Sequence, residues 1–310
     1  MTVNVQNLVK RYGDLLALDH FHLQVQEGEI LGLLGPNGSG KTTAINCILS
    51  LLRYDRGSIE LFGQPMTPDS LELKRQIGVV MQEVAVFDEL TVQENIDYFC
   101  GLYVRDRARR RQLVEEAVAF TGLEEYRRFR PRKLSGGLLR RLNIACGIAH
   151  KPRLIFFDEP TVAVDPQSRN SILEGIRSLN REGATIIYTS HYMEEVELLC
   201  SRIVIMDQGR IIASGTREEL KAMIGANEKI TVELADPREE LVQEVSRQPF
   251  AQNVALHDNM LVIHCRSGAH NLSDVMNYIQ SRGISVGRVF SEPPTLNDVF
   301  LEITGRQLRD

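Results

Sequence analysis

The chain runs to 310 residues, 43% of them hydrophobic and 25% charged, with a formal net charge of -5. Those proportions are typical of water-soluble globular proteins and argue against a disordered or fibrous chain, while the acidic balance supplies no overall basic field for holding nucleic acid. The five cysteines, Cys47, Cys100, Cys146, Cys200 and Cys265, lie far apart and form no C-x-x-C pair. Neither a disulfide framework nor a Cys-rich zinc site is indicated, and a reducing cytoplasm fits best.

A chain of this length suggests one large domain and one smaller, each with its own core, and the change in pattern puts them at 1–225 and 226–310. The first residues, MTVNVQNLVKRYGD, alternate apolar and polar like a strand and lack the apolar core of a signal peptide. Short apolar runs follow at residues 31–35, 77–81, 154–157, 185–190 and 202–207, with amphipathic stretches such as 168–181 between several of them. That alternation predicts an α/β domain with a mixed, largely parallel, buried sheet. At about 90–150 the period turns helical, which reads as a helical insertion: Leu113, Val114, Ala117 and Val118 share one face behind a basic run at 105–111. The arginines of that run read as a solvated helix face, with docking to a partner or to lipid headgroups as the lesser alternative.

After a helical pattern at 216–224, Gly225 and Asn227 interrupt the chain. A strand at 229–234, a helix at 237–247, two strands around residues 257–260, a helix at 272–282 and a strand at 284–290 then follow. The order β-α-β-β-α-β predicts a small ferredoxin-like α+β domain. Thr295 and Asp298 form a capping box that opens a last amphipathic helix. His257, His264, Cys265 and His270 fall in this segment, but adjacent strand residues point to opposite faces, which argues against a shared metal site. No apolar run in the chain approaches the ~20 residues that cross a bilayer, so work at a membrane would need a partner to supply the span.

The chemistry concentrates in the first domain. Gly35, Pro36, Asn37, Gly38, Ser39, Gly40, Lys41, Thr42 and Thr43 satisfy G-x-x-x-x-G-K-[ST] between an apolar strand and a helical pattern at 43–52. In that context the glycines turn backbone N–H groups toward phosphate oxygens and the helix N-terminus adds its positive dipole end. Lys41 reaches the β- and γ-phosphates, and the Thr42 hydroxyl can ligate Mg²⁺. Asp158 and Glu159 end the run at 154–157, and the carboxyl ends of strands border the ligand crevice of an open α/β sheet. Asp158 would hold the hydrated Mg²⁺, and Glu159 would polarise an attacking water as general base; a plain turn cap is the bland alternative. Ser135, Gly136 and Gly137, in LSGG, open a helical run at 138–150, so Ser135 caps a helix and the glycines expose N–H groups as a second anion-binding element. One chain has no evident way to use both elements on one phosphate, whereas a head-to-tail pair of chains does.

With these motifs in order, the chain resembles the nucleotide-binding subunits of ATP-binding cassette (ABC) transporters from Met1 to about residue 224. The resemblance rests on GPNGSGKT, Gln82, LSGG, LIFFDEP, Asp165 and His191 together. It implies that Tyr12 stacks on adenine, that Gln82 joins the Mg²⁺ and water shell, and that His191 contacts the γ-phosphate. It also implies an ATPase that dimerises around ATP and Mg²⁺ with a second, identical subunit and docks through residues 83–94 on an integral membrane permease at the cytoplasmic face. Taken singly, Tyr12, Gln82 and His191 are equally well read as the polar or aromatic ends of their elements, and Asp165 before Pro166 as an ordinary helix cap.

The chain departs from the family pattern at two places: Leu138 stands where Gln is usual, and Val162, Ala163 and Val164 precede Asp165 in place of Ser-Gly-Leu. The closing stretch PPTLNDVFLEITGR looks like the tail of cassette subunits of bacterial drug, antibiotic and nodulation-factor exporters, which implies export. The rivals are a soluble cassette ATPase acting on ribosomes or DNA, disfavoured by the acidic balance and the single cassette, and a nucleotide-sensing module without turnover, disfavoured by Glu159.

Overall fold

The computed structural model describes residues 1–223, 226–266, 271–293 and 295–304, the side chains of Ala226 and Asn227 excepted. Gly225, His270 and, in the closing stretch PPTLNDVFLEITGR, Pro294 and the final Gly305 and Arg306 lie outside the described residues. Contacts divide the chain into two units, residues 1–214 and 215–308.

The first unit opens with β1 (Val3–Tyr12), β2 (Leu15–Val25), β3 (Ile30–Leu34) and α1 (Lys41–Ile48). Next come β4 (Arg56–Leu61), β5 (Gln64–Pro65), α2 (Leu71–Lys74) and β6 (Ile77–Val80), then the helices α3 (Val92–Gly101), α4 (Arg107–Thr121) and α5 (Gly136–Ile148). It closes through β7 (Leu154–Asp158), α6 (Pro166–Arg181), β8 (Thr185–Ser190), α7 (Met193–Leu199), β9 (Arg202–Asp207) and β10 (Arg210–Gly215).

Its six-stranded sheet has the order β10-β9-β3-β8-β7-β6, and β9, β3, β8, β7 and β6 pair in parallel. Every residue of β3, β7 and β8 is buried, as expected of strands covered on both faces. Because parallel strands all end on the same side, β3, β7 and β8 deliver the loop after Leu34, the acids at 158–159 and the turn after Ser190 to one edge. The helical insertion has a separate core in which Leu113, Val114, Ala117 and Val118 of α4 meet Val92 and Ile96 of α3 and Leu142 of α5. Arg105, Arg107, Arg109 and Arg111 are exposed and Arg110 pairs with Asp97 of α3 at 2.8 Å, so the run is a solvated face with one tie to its neighbour.

The antiparallel sheet β2-β1-β4-β5 goes beyond the expected strands. Its signal was present in the alternation of buried Phe21, Leu23 and Val25 with exposed His20, His22 and Gln24. β1 falls within the strand pattern expected at the start of the chain, and β2, β4 and β5 are the strands that expectation lacked.

The second unit contains α8 (Arg217–Met223), β11 (Ala226–Leu234), α9 (Glu239–Ser246), β12 (Ala251–His257), β13 (Met260–Arg266), α10 (Asn271–Ser281), β14 (Val286–Glu292) and α11 (Leu296–Thr304). Its sheet order is β12-β13-β11-β14 with each pairing antiparallel, the ferredoxin-like arrangement. Leu241 and Val245 of α9 and Val275 and Ile279 of α10 share one core with Ile230, Val232, Leu261, Ile263 and Cys265 of the strands. His264 lies on the other face, 3.8 Å from Asp298 in α11, while burial lowers its pKa from the usual histidine value. The capping box of α11 is present: Thr295 N–H donates to Asp298 Oδ2 at 2.7 Å and Asp298 N–H to Thr295 Oγ1 at 3.3 Å. α8 packs on α11 and β11, which is why the division by contacts falls before α8 and not at the expected residue 225.

Candidate nucleotide-binding site

Past β3, the loop at 35–40 wraps the N-terminus of α1. Gly40 has φ 103°, and a Cβ there would sit 2.7 Å from the Ala17 carbonyl, so only glycine fits the turn into the helix. Lys41 Nζ donates to the carbonyls of Gly35 at 2.7 Å and Pro36 at 3.2 Å and lies 3.8 Å from Glu159 Oε1. Burial pushes the Lys41 pKa below the ordinary lysine value against the pull of the Glu159 and Asp158 carboxylates, leaving a desolvated cation at the mouth of the loop. The Ser39 hydroxyl beside it is buried with no hydrogen-bond partner among the described residues.

The two acids are held by the neighbouring strand. Asp158 Oδ2 accepts from Thr42 Oγ1 at 3.0 Å and Oδ1 from Thr189 Oγ1 at 2.6 Å, in register with the β7–β8 pairing. Glu159 stands at φ 48°, a conformation uncommon for a non-glycine residue, and its N–H donates to the Thr189 carbonyl and to Thr189 Oγ1 at 3.2 and 3.0 Å. His191 Nδ1 lies 3.2 Å from Glu159 Oε2, an ion-pair separation without hydrogen-bond alignment. Thr189 thus orients both acids, and sequence reasoning missed it; the only signal was a hydroxyl at the polar end of an apolar strand.

Lys41 and Glu159 open onto a cleft of about 870 Å³ that is also lined by Tyr12, Asn37, Gly38, Gly40, Thr42, Thr43 and Gln82. Tyr12 ends β1, is 48% exposed, and carries the Lys10 ammonium 4.9 Å from its ring centroid. The turn between β9 and β10 closes the far side, an element the motifs did not announce. Gly209 there donates to the Ser39 carbonyl at 2.9 Å and accepts from Asp19 N–H at 3.0 Å. The glycine-built loop, the buried Ser39 hydroxyl, the Lys41 cation and the Thr42–Asp158 oxygen pair fit a nucleotide triphosphate with a hard divalent cation.

Ser135, Gly136, Gly137 and Asp165 lie outside that lining. Ser135 caps α5, accepting from Leu138 N–H at 3.3 Å, and Asp165 caps α6, accepting from Ser168 N–H at 2.9 Å. The backbone donor at Ser168 also holds the Asp165 carboxyl below the usual aspartate value. A Cβ on Gly137 would stand 2.5 Å from Ser168 Oγ, so its absence lets the two helix starts touch. Leu138 is partly buried against the insertion core, which accounts for an apolar residue after the glycines.

Fold and site together define a P-loop ATP-binding cassette. The ABC transporter family model matches residues 18–162 and the model of the ATP-binding protein DrrA1-3-like C-terminal domain matches residues 215–304. The chain belongs to the ABC transporter family and is an ATP-binding and ATP-hydrolysing subunit of it. Linearmycin resistance ATP-binding protein LnrL of Bacillus subtilis (strain 168) is 36% identical over 99% of this chain and 100% of its own. Nod factor export ATP-binding protein I of Burkholderia thailandensis is also 36% identical, over 99% of this chain and 98% of its own. Among solved structures, the dimeric ATP-binding cassette MJ0796 in a post-hydrolysis state bound to ADP and Pi superimposes with a TM-score of 0.64 at 28% identity, covering 69% of this chain and 98% of that one. No described helix is long and apolar enough to cross a membrane.

Proposed function

We propose that two copies of this chain close head to tail around two ATP molecules at the cytoplasmic face of the membrane and drive export through a separate membrane-spanning subunit. The observation that carries the dimer is the separation of the two anion-binding elements. Ser135, Gly136, Gly137 and Asp165 sit outside the cleft of their own Lys41, so they serve the nucleotide of a second copy. The dimeric MJ0796 cassette and the resistance and export relatives support the same reading.

Within one copy, Tyr12 stacks on the base while the N–H groups of the 35–40 loop, Ser39 and Lys41 hold the phosphates. Thr42, Asp158 and Gln82 are the residues that would hold Mg²⁺, which neutralises charge on the phosphate oxygens. Glu159 accepts a proton from the attacking water as the water oxygen bonds to the γ-phosphorus and ADP departs with the bridging oxygen, and His191, already beside its carboxylate, contacts that phosphate. Substituting Glu159→Gln is expected to lower hydrolysis roughly 10²- to 10³-fold and to trap an ATP-bound dimer in gel filtration with light scattering. An unchanged hydrolysis rate in that variant would falsify the assignment.

Residues 83–94 are the proposed docking surface for the membrane subunit. Phe87 there is 42% exposed and packs edge-on to Tyr98 of α3, itself 47% exposed, at 4.9 Å, leaving an aromatic surface for a short apolar helix. Photo-crosslinkers placed at Phe87 in cells should capture an integral membrane protein; recovery of none would sink the docking assignment.

A further inference from the structure

Glu195 is a carboxylate that the chemistry above does not use, yet it is 3% exposed and stands at the centre of a polar cluster between β8, α6 and the loop after Glu159. Its Oε2 accepts three hydroxyls: Thr161 at 2.8 Å, Tyr188 at 2.7 Å and Ser190 at 3.1 Å. Its other oxygen, Oε1, lies 3.3 Å from Arg169 Nε of α6, an ion pair outside hydrogen-bond alignment. The cluster leads directly to the site. Ser190 Oγ accepts from Tyr192 N–H at 2.9 Å and so fixes the turn that carries His191, and the Arg169 guanidinium lies 4.8 Å from the Tyr192 ring centroid. On the other side, Arg169 belongs to the first turn and a half of α6, whose cap is Asp165 and whose Ser168 abuts Gly137.

A buried carboxylate is costly to desolvate, and here three hydroxyls on Oε2 and the Arg169 charge beside Oε1 offset that cost. The ties come from different elements, the loop after Glu159, β8 and α6, so each one couples a separate piece of the fold to the same carboxylate. We propose that Glu195 is a positioning residue that locks the His191 turn to the loop at 161–165 and to α6, so that the γ-phosphate contact of one copy and the Asp165–Gly137 surface offered to the other move together. This rests on the dimeric reading given above.

The joint is tested by a double-mutant cycle in the full-length chain. Glu195→Gln can keep a carbonyl oxygen toward the three hydroxyls but turns an amide N–H₂ toward Arg169, so it cuts the α6 tie while conserving volume. Arg169→Met, on the more exposed partner, cuts the same tie from the other side. Each is expected to lower kcat for ATP about fivefold or more with KM for ATP unchanged, because neither touches Tyr12 or the 35–43 loop. The double variant is expected to be no slower than either single one. Unchanged kcat, or single losses that multiply in the double variant, overturns the proposal, as does a fall in thermal stability with kcat per folded molecule intact. If Glu159→Gln traps a dimer while Glu195→Gln turns over normally, only the joint is wrong. If Glu159→Gln stops hydrolysing yet traps no dimer in gel filtration with light scattering, the dimeric reading falls and the joint with it.

Discussion

The first unit gathers Lys41, Asp158, Glu159, Thr189, Ser190 and Glu195, all buried, around the ends of β3, β7 and β8, whereas the buried polar side chains among the described residues of the second are Asn271 and Asp298. In the second unit both do structural work at helix starts: Asn271 donates to the Arg266 carbonyl at 3.0 Å and Asp298 caps α11. In the first, a lysine and two carboxylates are held out of water in partial contact, with Lys41 Nζ 3.8 Å from Glu159. Such burial costs stability that apolar residues of the same size would return, so its retention marks where a ligand and a reaction are served. Among the described residues, a cluster of buried polar and charged side chains thus sits at the strand ends of the first unit, whereas those of the second serve helix starts.

The sharpest way to break that contrast is Lys41→Met. Hydrolysis should fall roughly 10²- to 10³-fold while the melting temperature stays within about 3 °C, because the desolvation cost of the cation disappears along with its contacts. Asp158 keeps its Thr42 and Thr189 partners and Glu159 keeps His191 in that variant. A large loss of melting temperature would mean that Lys41 serves the fold as well as the nucleotide. The second unit should respond in the opposite sense. Phe300 is fully buried in α11, so Phe300→Ala is expected to destabilise residues 215–304 by about 3–5 kcal/mol, seen as an earlier unfolding transition in calorimetry. ATP hydrolysis by the first unit should be unchanged; a parallel fall in kcat would show that packing in the second unit is read out at the site.

How far each region was legible follows from the same contrast. The phosphate loop was readable from residues 35–43 because all its groups are neighbours along the chain, and the acids at 158–159 were readable because they close an apolar strand. The second unit was readable too, in element order, because its strands and helices keep clean periods: in β13, Leu261, Ile263 and Cys265 are buried and their alternates are not. The antiparallel sheet of the first unit was legible only at β1; its partners β2, β4 and β5 were not expected, and register shifts interrupt the pairing of β2 and β4 with β1. The domain boundary moved for a similar reason, since α8 belongs by local pattern to what precedes it and by contact to α11.

By itself, then, the order of residues pointed to an ATP-binding, ATP-hydrolysing subunit and to the class of fold, since the motifs for both lie at short, fixed spacing. What only the tertiary structure decided are the pairings across long separations. Thr189 lies 31 residues from Asp158 yet orients it. Gly209 meets the phosphate loop from the turn after the neighbouring strand β9, and Glu195 gathers hydroxyls from as far as 34 residues away. Spacing along the chain carries no trace of such contacts, because they exist only once parallel strands have brought their ends to one edge and helices have packed over them.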